Sequence, residues 1–327
     1  MKKYLVIDIG GTFTKYAVMD ESCRFYSKDK IETVKSDLEG FIEMLVRIYE
    51  STEEVSGIAI SSAGMIDSET GFMYNGGSLF MIKNINLVEI LEHRCHVPVT
   101  VENDARCAGL AEVWKGALSD CRNSIALIIG TAIGGAVVVD RKVLKGKNCM
   151  AGEFSYILTN AKKADDKDQI FAVTGGMPAL LHLASARLGI PEAEITGEMI
   201  FSRANCGEQE ALACIRQYAR ALAVQINNLQ FVFDPEKIAI GGGVSEQPLL
   251  LQLIREELRS FSEVYPYPVP VAEIANCRFF NDSNLIGALY VHLKAQEEEI
   301  RPERVRELLD LVKNRREGEY LRALLRG

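Results

Sequence analysis

Apolar and polar positions change period repeatedly along this chain, and each change predicts an element. Residues 4–34 read as three antiparallel strands, the first two joined through Gly10-Gly11-Thr12. Ser36-Asp37-Leu38-Glu39 has the form of a capping box, and Leu38, Phe41, Ile42, Leu45, Val46 and Tyr49 follow at helical spacing. Gly57–Ser62 predicts a buried strand that ends at the small turn Ala63-Gly64. Residues 65–86, rich in Gly, Asn and Ser and broken by single apolar residues, predict a long loop of the kind that often carries function. Leu87–His93 predicts a short helix, Pro98–Val101 a strand leading into Glu102-Asn103-Asp104, and Ala105–Lys115 a helix.

From Ile125 to Asp140 the opening unit recurs: an apolar run, a turn at Gly130-Thr131, and an apolar return ending in Asp. Residues 141–171 look irregular and polar, and helices follow over 176–189 and 208–231. Lys237–Ile240 predicts a strand running into Gly241-Gly242-Gly243-Val244-Ser245, and Pro248–Phe261 a helix with proline in its first turn. Asn284–Ala295 predicts another helix. The charge-dense tail, 296–327, places Leu308, Leu309, Val312, Leu321, Leu324 and Leu325 at helical spacing. It reads either as amphipathic helix docked on the body or a second subunit, or as a solvated helical tail.

Composition narrows the class. A chain of 327 residues has room for two domains, and 48% hydrophobic with 25% charged residues is the balance of a soluble globular protein. A net charge of −8 argues against nucleic acid as the main partner. No apolar stretch is long enough to span a bilayer, and Asp8 interrupts any signal-peptide core, so the expected location is cytoplasmic. The eight cysteines form no Cys-x-x-Cys pair, which suggests neither a zinc ribbon nor a disulfide scaffold.

The candidate chemistry sits at the turns. Paired glycines allow positive φ and bring backbone N–H groups close to a ligand, and the hydroxyls of Thr12, Thr14 and Thr131 can donate to phosphate oxygens. Asp8, beside the first turn, is placed to hold Mg²⁺ through water, and Lys15 points either at phosphate or at solvent. Asp104, at a helix N-terminus, would stay ionised there; it reads as a helix cap or as a base. Asn103 beside it could grip a sugar hydroxyl whose proton Asp104 takes, and Glu153 could accept from vicinal hydroxyls. The triple glycine 241–243 offers bare backbone to adenine and ribose, and lacks the spacing of a dinucleotide fingerprint.

Six motifs stand in order: Asp8-Ile-Gly-Gly-Thr12, Ser62-Ala-Gly64, Glu102-Asn-Asp-Ala105, Gly130-Thr-Ala-Ile-Gly-Gly135, Ala151-Gly-Glu153 and Ile240-Gly-Gly-Gly-Val-Ser245. Together, over about residues 3–295, they resemble the ROK family of sugar kinases and sugar-responsive repressors, within the actin-like (ribonuclease H-like) ATPases. The resemblance implies two α/β domains, 1–118 and 119–283, each with a mixed five-stranded sheet, an interdomain cleft, and a helix 284–295 returning to the first domain. It implies an enzyme that uses MgATP to phosphorylate a sugar, with Asp104 as catalytic base and Gly64, Asn103, Glu153 and Tyr156 around the sugar. Asp8, Gly10, Gly11, Thr12, Lys15, Thr131 and Gly134 would face the phosphates and Gly242 and Gly243 the adenosine. A homodimer built on the second domain is implied as well, with sugar and ATP, and neither nucleic acid nor membrane, as partners.

Two departures shape the substrate expectation. Tyr156 stands where the family usually has a histidine, and residues 157–175 lack the family's zinc-binding cysteine loop, so no structural zinc is expected. A usual glycine is Ala132, and the family's sugar-contacting Glu after the cysteine loop falls near Gln169 or Ile170. This pattern resembles the branch of bacterial β-glucoside kinases. It implies transfer to the 6-hydroxyl of a glucosyl unit such as that of cellobiose. The alternatives are a glucokinase or N-acetylmannosamine kinase acting on a free hexose, or a non-catalytic sugar-sensing regulator. Such regulators carry a helix-turn-helix domain ahead of the first hairpin, which here begins at residue 4.

Overall fold

The computed structural model describes residues 1–271 and 273–299; the expected tail lies outside the described residues from residue 300 onward. The chain opens with β1 (Lys3–Ile9), β2 (Phe13–Asp20), β3 (Phe25–Glu32), α1 (Leu38–Glu50) and β4 (Ile58–Ser62). A small meander follows, β5 (Ile66–Asp67), β6 (Phe72–Gly76) and β7 (Leu79–Asn86), then α2 (Leu87–Cys95), β8 (Val99–Asn103) and α3 (Asp104–Lys115). The second half runs β9 (Ser124–Ile129), β10 (Ile133–Val139), β11 (Lys142–Val143), α4 (Phe171–Gly175), α5 (Met177–Leu188), α6 (Gly197–Asn205) and α7 (Gln209–Phe233). It closes with β12 (Lys237–Gly241), α8 (Pro248–Ser262), β13 (Glu273–Asn276) and α9 (Ser283–Glu299).

The two large sheets repeat one topology. The orders are β3-β2-β1-β4-β8 and β11-β10-β9-β12-β13. In each, a hairpin-linked antiparallel trio continues into parallel strands: β1 with β4 and β4 with β8, β9 with β12 and β12 with β13. This is the actin-like ATPase fold. The parallel strands are covered on both faces, which is why Leu5–Ile7, Ile58–Ile60, Ile125–Leu127 and Ile238–Ile240 are unbroken apolar runs.

On the first sheet, Phe41 and Leu45 of α1 and Leu87 and Leu91 of α2 pack on Leu5, Ile7, Ile58 and Ile60. The opposite face takes Cys107 and Ala111 of α3 and Leu285 and Leu289 of α9. So α9, whose sequence follows the second sheet, does pack on the first. His292 fixes it: the buried imidazole meets Thr100 Oγ1 at 3.0 Å and Gln296 Nε2 at 3.0 Å, and burial lowers its pKa to about 4. The second sheet buries Leu127 and Ile240 under Leu222 and Ile226 of α7 and Leu250 and Ile254 of α8. Helix α3 serves both halves, because Val113 joins Ala126 and Ala136 of the second sheet.

Several expectations need correction. Residues 65–86 form the three-stranded sheet β5-β6-β7 rather than a loop. Their single apolar residues Met73, Leu79 and Ile82 are the buried positions of that meander, and Gly and Asn mark its turns. The N-cap of α1 is Asp37, which accepts from Gly40 N–H at 2.7 Å; Ser36 only donates to Asp37. Helix α6, capped by Thr196, falls where no helix was expected. Among the described residues, no helix is long and apolar enough to cross a membrane.

Candidate active site

A cleft of about 490 Å³ opens between the two sheets. Gly64, Asn103, Asp104, Thr131, Gly134, Glu153 and Tyr156, seven of the expected site residues, line it. They arrive from separate segments because the parallel strands end on the same side, where β4 and β8 give way to Ala63-Gly64 and to α3.

Asn103 rather than Asp104 caps α3: its Oδ1 accepts from Arg106 N–H at 3.1 Å, and its Nδ2 donates to Gly64 O at 3.1 Å. The Asn103 side chain also hydrogen-bonds the neighbouring Asp104 carboxyl, favouring its ionised form. Asp104 is the first helical residue, and its Oδ1 accepts from Ala105 N–H at 2.8 Å. Here the sequence expectation inverts. The helix N-terminus and that N–H favour the carboxylate, but burial outweighs them, and the charge of Asp8 adds to it, so the carboxyl titrates above its ordinary value. A base with a raised pKa is a better proton acceptor. Burial also pushes Glu153 up, the Arg106 charge opposing it and Asp104 adding to it.

Two glycines are required here by space. Gly64 has φ +114°, and a Cβ would lie 2.1 Å from Asn75 O. A Cβ on Gly134 would lie 2.6 Å from the Ala105 Cβ, so this glycine admits the start of α3 against the second hairpin. Gly134, expected at phosphate, lines the cleft and also leaves the space that Ala105 of α3 occupies.

The other expected residues stand around the cleft rather than lining it. Asp8 is buried; its Oδ1 accepts from Ser61 Oγ and Asn284 Nδ2, both at 3.0 Å, and Lys15 Nζ lies 3.8 Å from its Oδ2. Lys15 is thus the cross-strand partner of Asp8. Gly10 and Gly11 do not have positive φ, contrary to expectation; their Cβ atoms would crowd Phe13 O and Ser78 Oγ, each at 2.7 Å. Ser78 lines the cleft, so the first turn reaches it there. Thr12 and Thr131 are exposed, but Thr14 is fully buried and bonded to Thr33 Oγ1 at 3.0 Å, so its hydroxyl is already engaged. Gly242 takes φ +91° behind the end of β9, and Gly243 faces open space.

Sequence reasoning missed Asn75, Ser78, Met65 and Met150 in the lining, and Asn284, which lines the cleft and holds Asp8. Asn284 opens the predicted helix 284–295, and the return of that helix to the first domain was the available signal. Tyr156 lines the mouth and is 67% exposed. Gln169 turns away: its amide oxygen accepts from Asn160 Nδ2 at 3.3 Å and its carbonyl from Thr159 Oγ1 at 2.8 Å. Those bonds and Phe171 N–H to Ile157 O, 2.8 Å, close the segment where the cysteine loop was not found.

The sequence model of the ROK family matches residues 4–295. A beta-glucoside kinase of Klebsiella pneumoniae is 34% identical over 289 residues, 88% of this chain and 95% of the relative. A glucokinase of Halalkalibacterium halodurans is 29% identical over 319 residues, 90% of this chain and 96% of the relative. Among solved structures, a ROK family protein from Streptococcus pneumoniae TIGR4 in complex with sucrose superposes with a TM-score of 0.82 at 28% identity, over 90% of this chain and 99% of its own.

Proposed function

The chain belongs to the ROK family and is a sugar kinase, and on that premise we propose that it transfers the γ-phosphoryl group of ATP to the 6-hydroxyl of the glucosyl unit of a β-glucoside such as cellobiose. The observation that carries this reading is the convergence of Asn103, Asp104 and Glu153 on one cleft. Glu153 and the Asn103 side chain orient the sugar, and Asp104 accepts the proton of the attacking hydroxyl. Phosphoryl transfer is mostly positioning and charge stabilisation, so a base held rigidly at the start of a helix suits it.

Asp8 fits the role of holding Mg²⁺ through water. Its Oδ1 is fixed by Ser61 and Asn284, and its Oδ2 faces Lys15 at 3.8 Å. When bound, Mg²⁺ neutralises charge on the transferring phosphate. The turns at Gly10-Gly11-Thr12 and Gly130-Thr131 offer N–H and hydroxyl donors to phosphates, and Gly242-Gly243 offers open backbone to the nucleoside. Residues 157–175 carry no cysteine and close through backbone and amide bonds, so we propose that no structural zinc is held there.

The glycoside reading rests on the mouth of the cleft. Exposed Tyr156 and Met150 stand there, and Gln169 turns its amide to Asn160. A site built around a free anomeric hydroxyl would leave buried polar groups unpaired against a glycoside, and this mouth avoids that cost. A related structure is described in complex with sucrose, itself a glycoside. The glucokinase relative favours free glucose as the second reading. Comparing kcat/KM for cellobiose and glucose tests the choice: preference for cellobiose supports the proposal, and glucose preferred by about tenfold, a 1.4 kcal/mol difference at the transition state, overturns it. A homodimer through the second domain is also proposed, supported by exposed Phe231, Val232 and Val264 there.

A further inference from the structure

Helix α3 carries a guanidinium that the transfer chemistry does not use. Arg106 is 1% exposed and heads the fully buried side chains by volume among the described residues. Its Nη1 lies 3.5 Å from Glu102 Oε1 and 3.5 Å from Ile66 O, and its Nη2 donates to Cys149 O at 2.5 Å. Its Nε has no hydrogen-bond partner among the described residues. Glu102 in turn accepts from Ser68 Oγ at 2.8 Å and Asn103 N–H at 2.8 Å.

A buried cation costs several kcal/mol to desolvate, and a 3.5 Å contact with one carboxylate offsets it poorly. An apolar side chain would fill the same volume at less cost. What the arginine adds is reach. Ile66 adjoins Met65 in the cleft wall, and Cys149 adjoins Met150 in the segment that ends at Glu153. The fork therefore ties two walls from different halves of the chain to the helix that bears Asp104.

We propose that Arg106 is a positioning residue that holds the 149–153 segment and β5 against the start of α3, so that Glu153 and the Gly64 wall meet the sugar in register with Asp104. This rests on the sugar-kinase reading of the cleft. The charged groups that bear on Glu153 are Arg106 and Asp104, both on α3; the first favours its ionised form and the second opposes it. Removing the guanidinium therefore also moves Glu153 further toward its protonated form, which accepts fewer hydrogen bonds from a sugar.

The test is steady-state kinetics of the full chain carrying Arg106→Met or Arg106→Lys, with the sugar the wild type accepts. For Arg106→Met the sugar KM should rise about tenfold or more, as for loss of a hydrogen bond to a charged group, with the ATP KM within about twofold. The sugar KM should worsen further as pH falls. Arg106→Lys should be intermediate, since a lysine keeps the charge but lacks the planar fork. An unchanged sugar KM, or sugar and ATP KM rising together with a falling Tm, would overturn the proposal. Should Arg106→Met fail to fold, a wild-type sugar KM in Arg106→Lys overturns it, and an elevated one with unchanged ATP KM supports it. Asp104→Asn run alongside separates the two readings, because loss of turnover there upholds the kinase site whatever Arg106 does.

Discussion

The two glycine hairpins occupy the same place in two sheets of the same topology, yet they differ in closure and in chemistry. The first closes with Gly10 N–H on Phe13 O, the second with Gly130 N–H on Ala132 O, a turn one residue shorter. One pair back from the turn, the first hairpin has Asp8 opposite Lys15 and the second has Ile128 opposite Gly134. One hairpin thus brings charge to the cleft. The other brings bare surface, and the space over Gly134 is filled by Ala105 of the helix that carries Asp104. The duplicated fold has thus diverged: the first copy carries a charged pair behind its turn, and the second leaves room for the start of α3.

The sharpest break of that division is at the base itself. Asp104→Asn keeps the shape and the Ala105 N–H contact but cannot take a proton, so kcat should fall about 10²–10⁴-fold with sugar binding preserved. Turnover within a few-fold of wild type at saturating sugar would reduce Asp104 to a structural residue.

Next in size is the charged pair of the first hairpin. Asp8→Asn should lower activity about 10–100-fold and raise the Mg²⁺ concentration needed for half-maximal rate. Ile128→Val, the same position in the second hairpin, should leave the Mg²⁺ dependence unchanged. Equal Mg²⁺ curves for Asp8→Asn and wild type would erase the distinction between the hairpins.

Gly134→Val should then destabilise by about 1–3 kcal/mol, read as Tm, and depress kcat by displacing the start of α3. A variant with wild-type kcat would show that the close approach to Ala105 does not position the base.

The pH effects are smaller. Activity should fall on the acid side at a pH above the ordinary aspartate value of 3.8, because Asp104 must be ionised and its pKa is raised. A raised carboxyl favours the folded state below the unfolded pKa and loses that contribution as pH rises through the folded value. Asp104→Asn should therefore raise Tm slightly at neutral pH and lose that gain in acid. His292 runs the opposite way. Its lowered pKa gives stability that is present above 6.5 and lost as pH falls toward about 4. Acid unfolding should begin with α9, visible as early hydrogen exchange in residues 283–297.

Much of this was written in local pattern. All strands of the first sheet, β9, β10 and β12 of the second, and the helices α1, α3, α7 and α8 were legible because apolar period and glycine turns are local signals, whereas the short edge strands β11 and β13 were not; of the cleft-lining residues, Gly64 and Tyr156 were expected from the family resemblance. The meander at 65–86 was not, since its short strands bury only one residue in several and its turns dominate the composition. Nor was the capping by Asn103, because two adjacent residues both suit an N-cap and only the backbone chooses between them.

The sequence alone determined the repeated hairpins, because they follow from the period and chemistry of neighbouring residues; the two-sheet α/β class and the choice of Asp104 as candidate base came from the family resemblance of motifs spread along the chain. Tertiary structure alone decided that burial raises the Asp104 carboxyl, that Gly134 admits the start of α3, that Thr14 is engaged, that Asn284 lines the cleft, and that Arg106 reaches the Ile66 and Cys149 carbonyls. Those properties depend on burial and on partners 19 to 276 positions away in the chain, as in Thr14 with Thr33 and Asn284 with Asp8, and no local pattern encodes a neighbour that distant.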